Sequence, residues 1–183
     1  MTLKKTIVIF GLGIAGGQAF AGNLLTNPGF EGGNMTGWTT TNFTATNNDF
    51  HTGSWSSIGS GNVSLEQSFT PVASTSVTEV SVWAKQPNLT NFFFAFQLLY
   101  SDATSTQVLG SGGTGNVWTK FNFTSSLNLT KNLSGIRAFG YSTGGTSDIT
   151  FYDDFVVNST VPEPASFAVL GLGALALLRR KKK

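Results

Sequence analysis

Residues 92–100 read FFFAFQLLY. At a period of two, Phe92, Phe94, Phe96, Leu98 and Tyr100 fall on one face, and Phe93, Ala95, Gln97 and Leu99 on the other. Shorter stretches around this run repeat the pattern. VSLEQSF at 63–69 and VSVWA at 80–84 alternate, and apolar segments recur at 117–123, 135–141 and 149–157. Turn-forming residues separate them, as in GSGGTG at 110–115. No amphipathic helix of useful length interrupts the series. Short strands at regular spacing predict an all-β body, an antiparallel β-sandwich or barrel. Each strand then offers one face to the core and one to solvent or a ligand.

The two ends follow other rules. Lys4 and Lys5 precede an apolar, glycine-rich segment at 6–17, and Ala19-Phe20-Ala21 forms an A-x-A cleavage site before Gly22. This is the pattern of a secretory signal peptide over residues 1–21, with Gly22 as first mature residue. Gly11, Gly13, Gly16 and Gly17 would be poor in a buried globular helix. At the other end, residues 165–178 carry no charge and run directly into five basic residues at 179–183. A helix of that length reaches roughly 21 Å at 1.5 Å per residue, short of the ~30 Å hydrocarbon core. The basic cluster places the tail in the cytoplasm and the body on the outer side of the membrane.

Pro162-Glu163-Pro164, a short apolar segment and an Arg/Lys-rich end occur here in that order. The three-part arrangement resembles the PEP-CTERM sorting signal of Gram-negative bacteria that make extracellular polysaccharide. The resemblance implies an exosortase partner, cleavage near the motif and a transient membrane stage before the cell surface or matrix. The organisation expected is a signal peptide (1–21), a β-domain (22–158), a linker with the motif (159–164), a transmembrane sorting helix (165–178) and a basic tail (179–183).

Without its ends the body changes sign. Lys85, Lys120, Lys131 and Arg137 are its only basic residues against eight acidic ones, a net charge of −4. The basic balance of the whole chain, +2, therefore belongs to the sorting ends. The body has no basic stripe for nucleic acid. The chain has no cysteine, which excludes disulfides, thiol catalysis and cysteine metal sites. Eight Asn-x-Ser/Thr triplets begin at Asn34, Asn42, Asn62, Asn88, Asn122, Asn128, Asn132 and Asn158. In a bacterial protein these read as a Thr/Asn-rich β-surface. A body of about 140 residues has single-domain size and can bury roughly two-thirds of its extended surface.

Several pieces of the body share one order. Asn27-Pro28-Gly29-Phe30-Glu31 is followed by Gly37-Trp38, His51-Thr52-Gly53-Ser54, VSVWAK at 80–85, NVWTKF at 116–121 and FYDDFVV at 151–157. The ordered set resembles carbohydrate-binding modules of the galactose-binding-like jelly-roll type. The resemblance implies a structural Ca²⁺ held by Glu31 and Asp154, with carbonyls near His51 and Gly53. Ca²⁺ takes 6–8 hard oxygen ligands, which carboxylates from both chain ends can supply. The alternative reading is that Glu31 and Asp154 accept nearby backbone N–H groups without an ion. On a regular strand Asp153 faces away from Asp154.

Sugar binding needs flat aromatic faces beside polar side chains. Trp83, Phe93, Gln97, Asn122, Arg137 and Tyr141 are the carbohydrate-binding candidates, and the charges of Arg137 and Lys120 favour an acidic polysaccharide. Trp38 and Trp118 read as core, and Trp55 as a rim stacking residue or a lid over the core. Catalysis finds little support. His51 is the sole histidine, Ser54 shares its loop, and no G-x-S-x-G elbow exists. Glu66, Glu79, Asp102 and Asp148 are available as a glycosidase pair but fall near strand ends or turns. The leading expectation is an exported, non-catalytic surface or matrix protein that binds polysaccharide. The alternatives are a purely structural matrix protein and a small glycoside-acting enzyme.

Overall fold

The 92–100 run is a strand with its alternation intact: Phe96, Leu98 and Tyr100 are buried, while Ala95, Gln97 and Leu99 are half-buried. The computed structural model describes residues 21–87, 92–110, 114–142 and 149–160, all within one unit, Ala21–Val161. In chain order the described strands are β1 (Ala21–Asn23), β2 (Thr39–Thr46), β3 (Ser56–Ala73), β4 (Val77–Lys85), β5 (Phe92–Tyr100), β6 (Ser105–Gly110), β7 (Thr119–Asn122), β8 (Asn132–Ser142) and β9 (Ile149–Thr160). Single 3₁₀ turns at Ser74–Ser76 and Thr124–Ser126 are the only helical pieces among the described residues.

The expected pair of sheets is one curled antiparallel sheet in the order β6-β5-β8-β3-β9-β4-β7, with β2 on β3 and β1 on β9. The length of β3 makes this possible. Its 57–60 segment pairs with β9 and its 63–73 segment pairs with β8. Between the two segments, Gly61 adopts φ +73°. A residue with a side chain resists that region, so glycine lets the strand bend from one partner to the next. The sheet thus has two leaves that share β3.

The leaves close on an aromatic core. Val63, Leu65, Ile136 and Ala138 line it beside Phe96 and Leu98, and Val80, Val82, Ala84, Phe155 and Val157 line the other side. Phe96 stacks on Phe123 at 4.3 Å and lies 6.5 Å from Phe155, so one ring spans both leaves. Trp38 is core, as expected: it sits 4.7 Å from Phe155 and donates its indole N–H to the Asn27 carbonyl. Trp118 is not. It is half-buried at the edge, because its N–H is drawn to Asp49 Oδ1 at 3.0 Å.

The expected domain ends at residue 158, whereas β9 continues through Thr160. Two further residues are held because Gly22 pairs with Ser159 and Ala21 with Thr160. The expectations for residues 1–20 and 161–183 lie outside the described residues. Among those described, no helix is long and apolar enough to cross a membrane.

Candidate functional site

One row of side chains crosses four neighbouring strands and β2. Gln107 pairs with Gln97, Gln97 with Arg137, Arg137 with Glu66, and Glu66 with Thr39. Antiparallel partners in register share a face, and here the opposite face carries the core residues Leu98, Ile136 and Leu65. The row is therefore on the outer surface. Gln97 donates to Gln107 Oε1 at 3.2 Å, and Arg137 binds Glu66 through both Nε and Nη2. Two residues along β8, the Phe139 ring lies 5.5 Å from the Arg137 guanidinium carbon. Phe139 borders a shallow depression of about 210 Å³ with Thr41, Asn62, Val63, Ser64 and Gly140.

The structure divides the carbohydrate-binding candidates between two regions. Gln97 and Arg137 stand side by side on the β5–β8 surface, and Phe93 lies opposite Tyr141 in register four residues away. The side chains of Phe93 and Tyr141 lie outside the described residues. Trp83 and Asn122 belong to the β4–β7 leaf instead. Trp83 is not an open platform, since the His51 ring stacks on it at 3.7 Å and 15°. Asn122 is exposed, and its Oδ1 caps the backbone N–H of Thr124. Phe139 was missed by the sequence reading. The period-two series Arg137, Phe139, Tyr141 is the signal that contains it.

The positive charge expected to attract an acidic polymer is neutralised at both positions. Glu66 pairs with Arg137, and Glu79 with Lys120 at 2.8 Å. The carboxylates weighed for glycoside hydrolysis are committed in the same way. The hydrogen bond from Lys120 holds Glu79 below its ordinary pKa, and that from Lys131 lowers Asp102 to about 2. A general acid needs the opposite shift. Asp148 lies outside the described residues.

A second cluster ties the loop after β2 to β9. Glu31 accepts backbone N–H bonds from Ser54 at 3.0 Å and Trp55 at 3.2 Å. Gly53 packs so tightly here that a Cβ would lie 2.2 Å from Glu31 Oε1. His51 Nδ1 meets Asp154 Oδ2 at 2.7 Å, and the Thr52 hydroxyl donates to the same carboxylate at 2.8 Å. Asp153 is fully buried, and burial pushes its carboxyl up to about 6. It accepts the His51 N–H at 2.8 Å and that of Thr52 at 3.3 Å.

Asp153 and Asp154 therefore converge on one loop, against the expectation from a regular strand. The reason is a bulge. Asp154 has φ +47°, and the β4–β9 register shifts between Ser81 and Trp83. Gly29 marks how close the acids come: a Cβ there would lie 3.4 Å from Asp154 Oδ1 and 3.5 Å from Asp153 Oδ1. Among the described residues no three His, Asp or Glu side chains meet in a metal-holding group. The carboxylate oxygens of Glu31 and Asp154 accept hydrogen bonds from N–H and O–H donors.

The tail now has a decisive match. The family description "PEP-CTERM protein-sorting motif" fits residues 160–183. The chain carries a PEP-CTERM motif. That motif implies exosortase-dependent export. Among curated proteins, none matches the sequence.

The body is similar to solved carbohydrate-binding modules. One is TmCBM61, solved in complex with β-1,4-galactotriose, at 20% identity, TM-score 0.56, covering 73% of this chain and 96% of that one. A family 16 module-2 gives 17%, 0.53, 73% and 98%. The CBM22-1 xylan-binding domain of Paenibacillus barcinonensis Xyn10C gives 16%, 0.50, 76% and 96%. At such identities the likeness shows the fold alone, a curled antiparallel β jelly roll.

Proposed function

We propose that the PEP-CTERM chain is an exported, non-catalytic protein of the cell surface or extracellular matrix. Its jelly roll binds polysaccharide across the outer face of β5, β8 and β3. The observation that carries this reading is the Gln107–Gln97–Arg137–Glu66 row beside the Phe139 ring and its depression. Amide and carboxylate groups offer both donors and acceptors to hydroxyls, and an aromatic face takes the apolar side of a pyranose. Because Arg137 is already paired, the ligand class is a neutral polysaccharide. The similar modules, one solved in complex with β-1,4-galactotriose and one a xylan-binding domain, support this reading. In the precursor, residues 1–21 act as the export signal, residues 165–178 as the transient membrane helix and 179–183 as its basic cytoplasmic tail, with the cut by an exosortase near 162–164.

Affinity electrophoresis of the mature protein through neutral and acidic polysaccharides tests the reading. Neutral gels should retard the protein, with little dependence on salt. Phe139→Ala and Arg137→Ala should each weaken binding about tenfold, about 1.4 kcal/mol. Equal mobility in every gel would instead favour a purely structural matrix protein.

A structural Ca²⁺ is proposed separately. Glu31 and Asp154 would hold it with carbonyls near His51 and Gly53, and it would compete with the hydrogen bonds those carboxylates now accept. It would join the loop after β2 to β9. Calcium at 100-fold over its Kd should raise stability by about 2.7 kcal/mol, and chelator should reverse the gain. An unchanged melting temperature in calcium and in chelator would remove the ion from the account.

A further inference from the structure

The sheet ends on β6, and the outer edge of that strand lacks the devices that keep an edge unpaired. Those devices are charged side chains, proline, bulges and shortness. β6 reads STQVLG over six residues, with no charge and no proline. Its register with β5 runs unbroken from the Leu99–Ser105 pair to the Phe94–Gly110 pair, whereas the β2–β3, β3–β8, β4–β9 and β5–β8 pairs each contain a shift. The opposite end of the sheet differs: β7 has four residues, and Lys120 stands on it. Among the described residues, no strand pairs with the outer edge of β6.

That edge has a definite phase. Tyr100 donates its backbone N–H to the Thr104 carbonyl at 2.9 Å, so residues 100 and 104 are a bonded pair at the hairpin. Bonded and non-bonded pairs alternate along antiparallel strands, which makes Thr106 and Val108 bond inward to Leu98 and Phe96. Ser105, Gln107 and Leu109 then turn their N–H and C=O groups outward.

The phase fits a second copy of the same edge about a two-fold axis. Residues directly opposite in an antiparallel pair share a face, so Gln107 can meet its own equivalent, with Ser105 opposite Leu109 on either side. All of these positions point outward, and together they exchange about six backbone hydrogen bonds. The side chains agree. Gln107 accepts from Gln97 through Oε1 at 3.2 Å, and its Nε2 donates to none of the described residues. A carboxamide facing its own equivalent can both donate and accept. The charges at the β5–β6 turn do not oppose the contact, since Asp102 and Lys131 are paired with each other at 2.8 Å.

We propose that β6 is a homodimer interface, in which two copies join edge to edge, antiparallel and centred on Gln107. An isologous contact of this kind closes at two chains and builds no fibre. The Glu66–Arg137–Gln97–Gln107 row then continues into the row of the second copy, and one long glycan chain can lie across both. The pairing itself needs no polysaccharide; the lengthened row rests on the binding reading above.

Cysteine substitution in the mature protein tests the register, because the chain has no other cysteine. A bonded antiparallel pair holds its Cα atoms about 5.5 Å apart, within disulfide reach, so Gln107→Cys should form a covalent dimer on mild oxidation. Ser105→Cys is the control, since the two copies of residue 105 would lie four residues apart along the strands, more than about 13 Å. It should cross-link at least about tenfold more slowly. Equal rates for the two variants would overturn the proposal. In equilibrium sedimentation the unmodified protein should rise with concentration from one chain toward two. Ser105→Pro should hold it at one chain, because proline removes an outward N–H that β5 does not use. A single-chain mass for the unmodified protein up to millimolar concentration would also overturn the pairing. Dimers that pass polysaccharide gels without retardation would uphold the pairing and sink the binding reading, and retarded protein that stays a monomer would do the reverse.

Discussion

A methyl group on Gly53 would meet the Glu31 carboxylate at 2.2 Å, and the backbone there has φ +68°. Gly53→Ala should therefore destabilise the fold by about 1–3 kcal/mol or more. Chemical denaturation would show this as a lower midpoint at unchanged slope. The Asp102–Lys131 pair, which joins the β5–β6 turn to the segment before β8, gives a pH test. Lys131 and Thr104 lower Asp102 to about 2 from an ordinary 3.8. A depressed carboxyl adds stability above its unfolded pKa and loses it as pH falls through the folded value. Asp102→Asn should thus lower the melting temperature at neutral pH and converge with the unmodified protein as pH drops from 4 toward 2. At this scale the sequence was a partial guide. Trp38 was legible as core because an aromatic beside an early turn has few other places to go. Asp153 and Asp154 were not, because period two assumes a regular strand and Asp154 breaks it with a positive φ.

At the scale of elements, the strongest segments were the readable ones. The runs at 80–84, 92–100, 135–141 and 149–157 fall inside β4, β5, β8 and β9. β2 and β6 escaped. TTTNFTAT has Phe43 as its one large apolar side chain, and STQVLG lies on the open edge of β5, so neither needs an apolar face. β1 is three residues long, and its role comes from pairing with β9, which no local pattern encodes. Asn23 makes that role testable. Asn23→Ala removes the partners of Val157 N–H and Phe155 C=O, and should cost about 1–2 kcal/mol. Faster amide exchange at Val157 would locate the loss on β9.

For the whole molecule, charge and topology separate two tasks. The body carries a net −4, while the residues at 179–183 are all basic. The first and last strands meet as one ribbon, so the two ends of the body leave it from the same place. The outer face of the β5–β8–β3 leaf remains for a ligand. Part of that face was legible: Gln97 and Arg137 are indeed neighbours. Trp83 lies on the other leaf, on β4 between β7 and β9, and the His51 ring stacks on it, a pairing and a contact between residues far apart in sequence. The most direct measurement is hydrogen–deuterium exchange of the mature protein with and without a bound neutral polysaccharide. Protection is expected along 95–99, 135–140 and 63–68, with the loop at 51–55 unchanged. Protection confined to the loop at 51–55, or none on any strand of the β5–β8–β3 leaf, would contradict polysaccharide binding by this face.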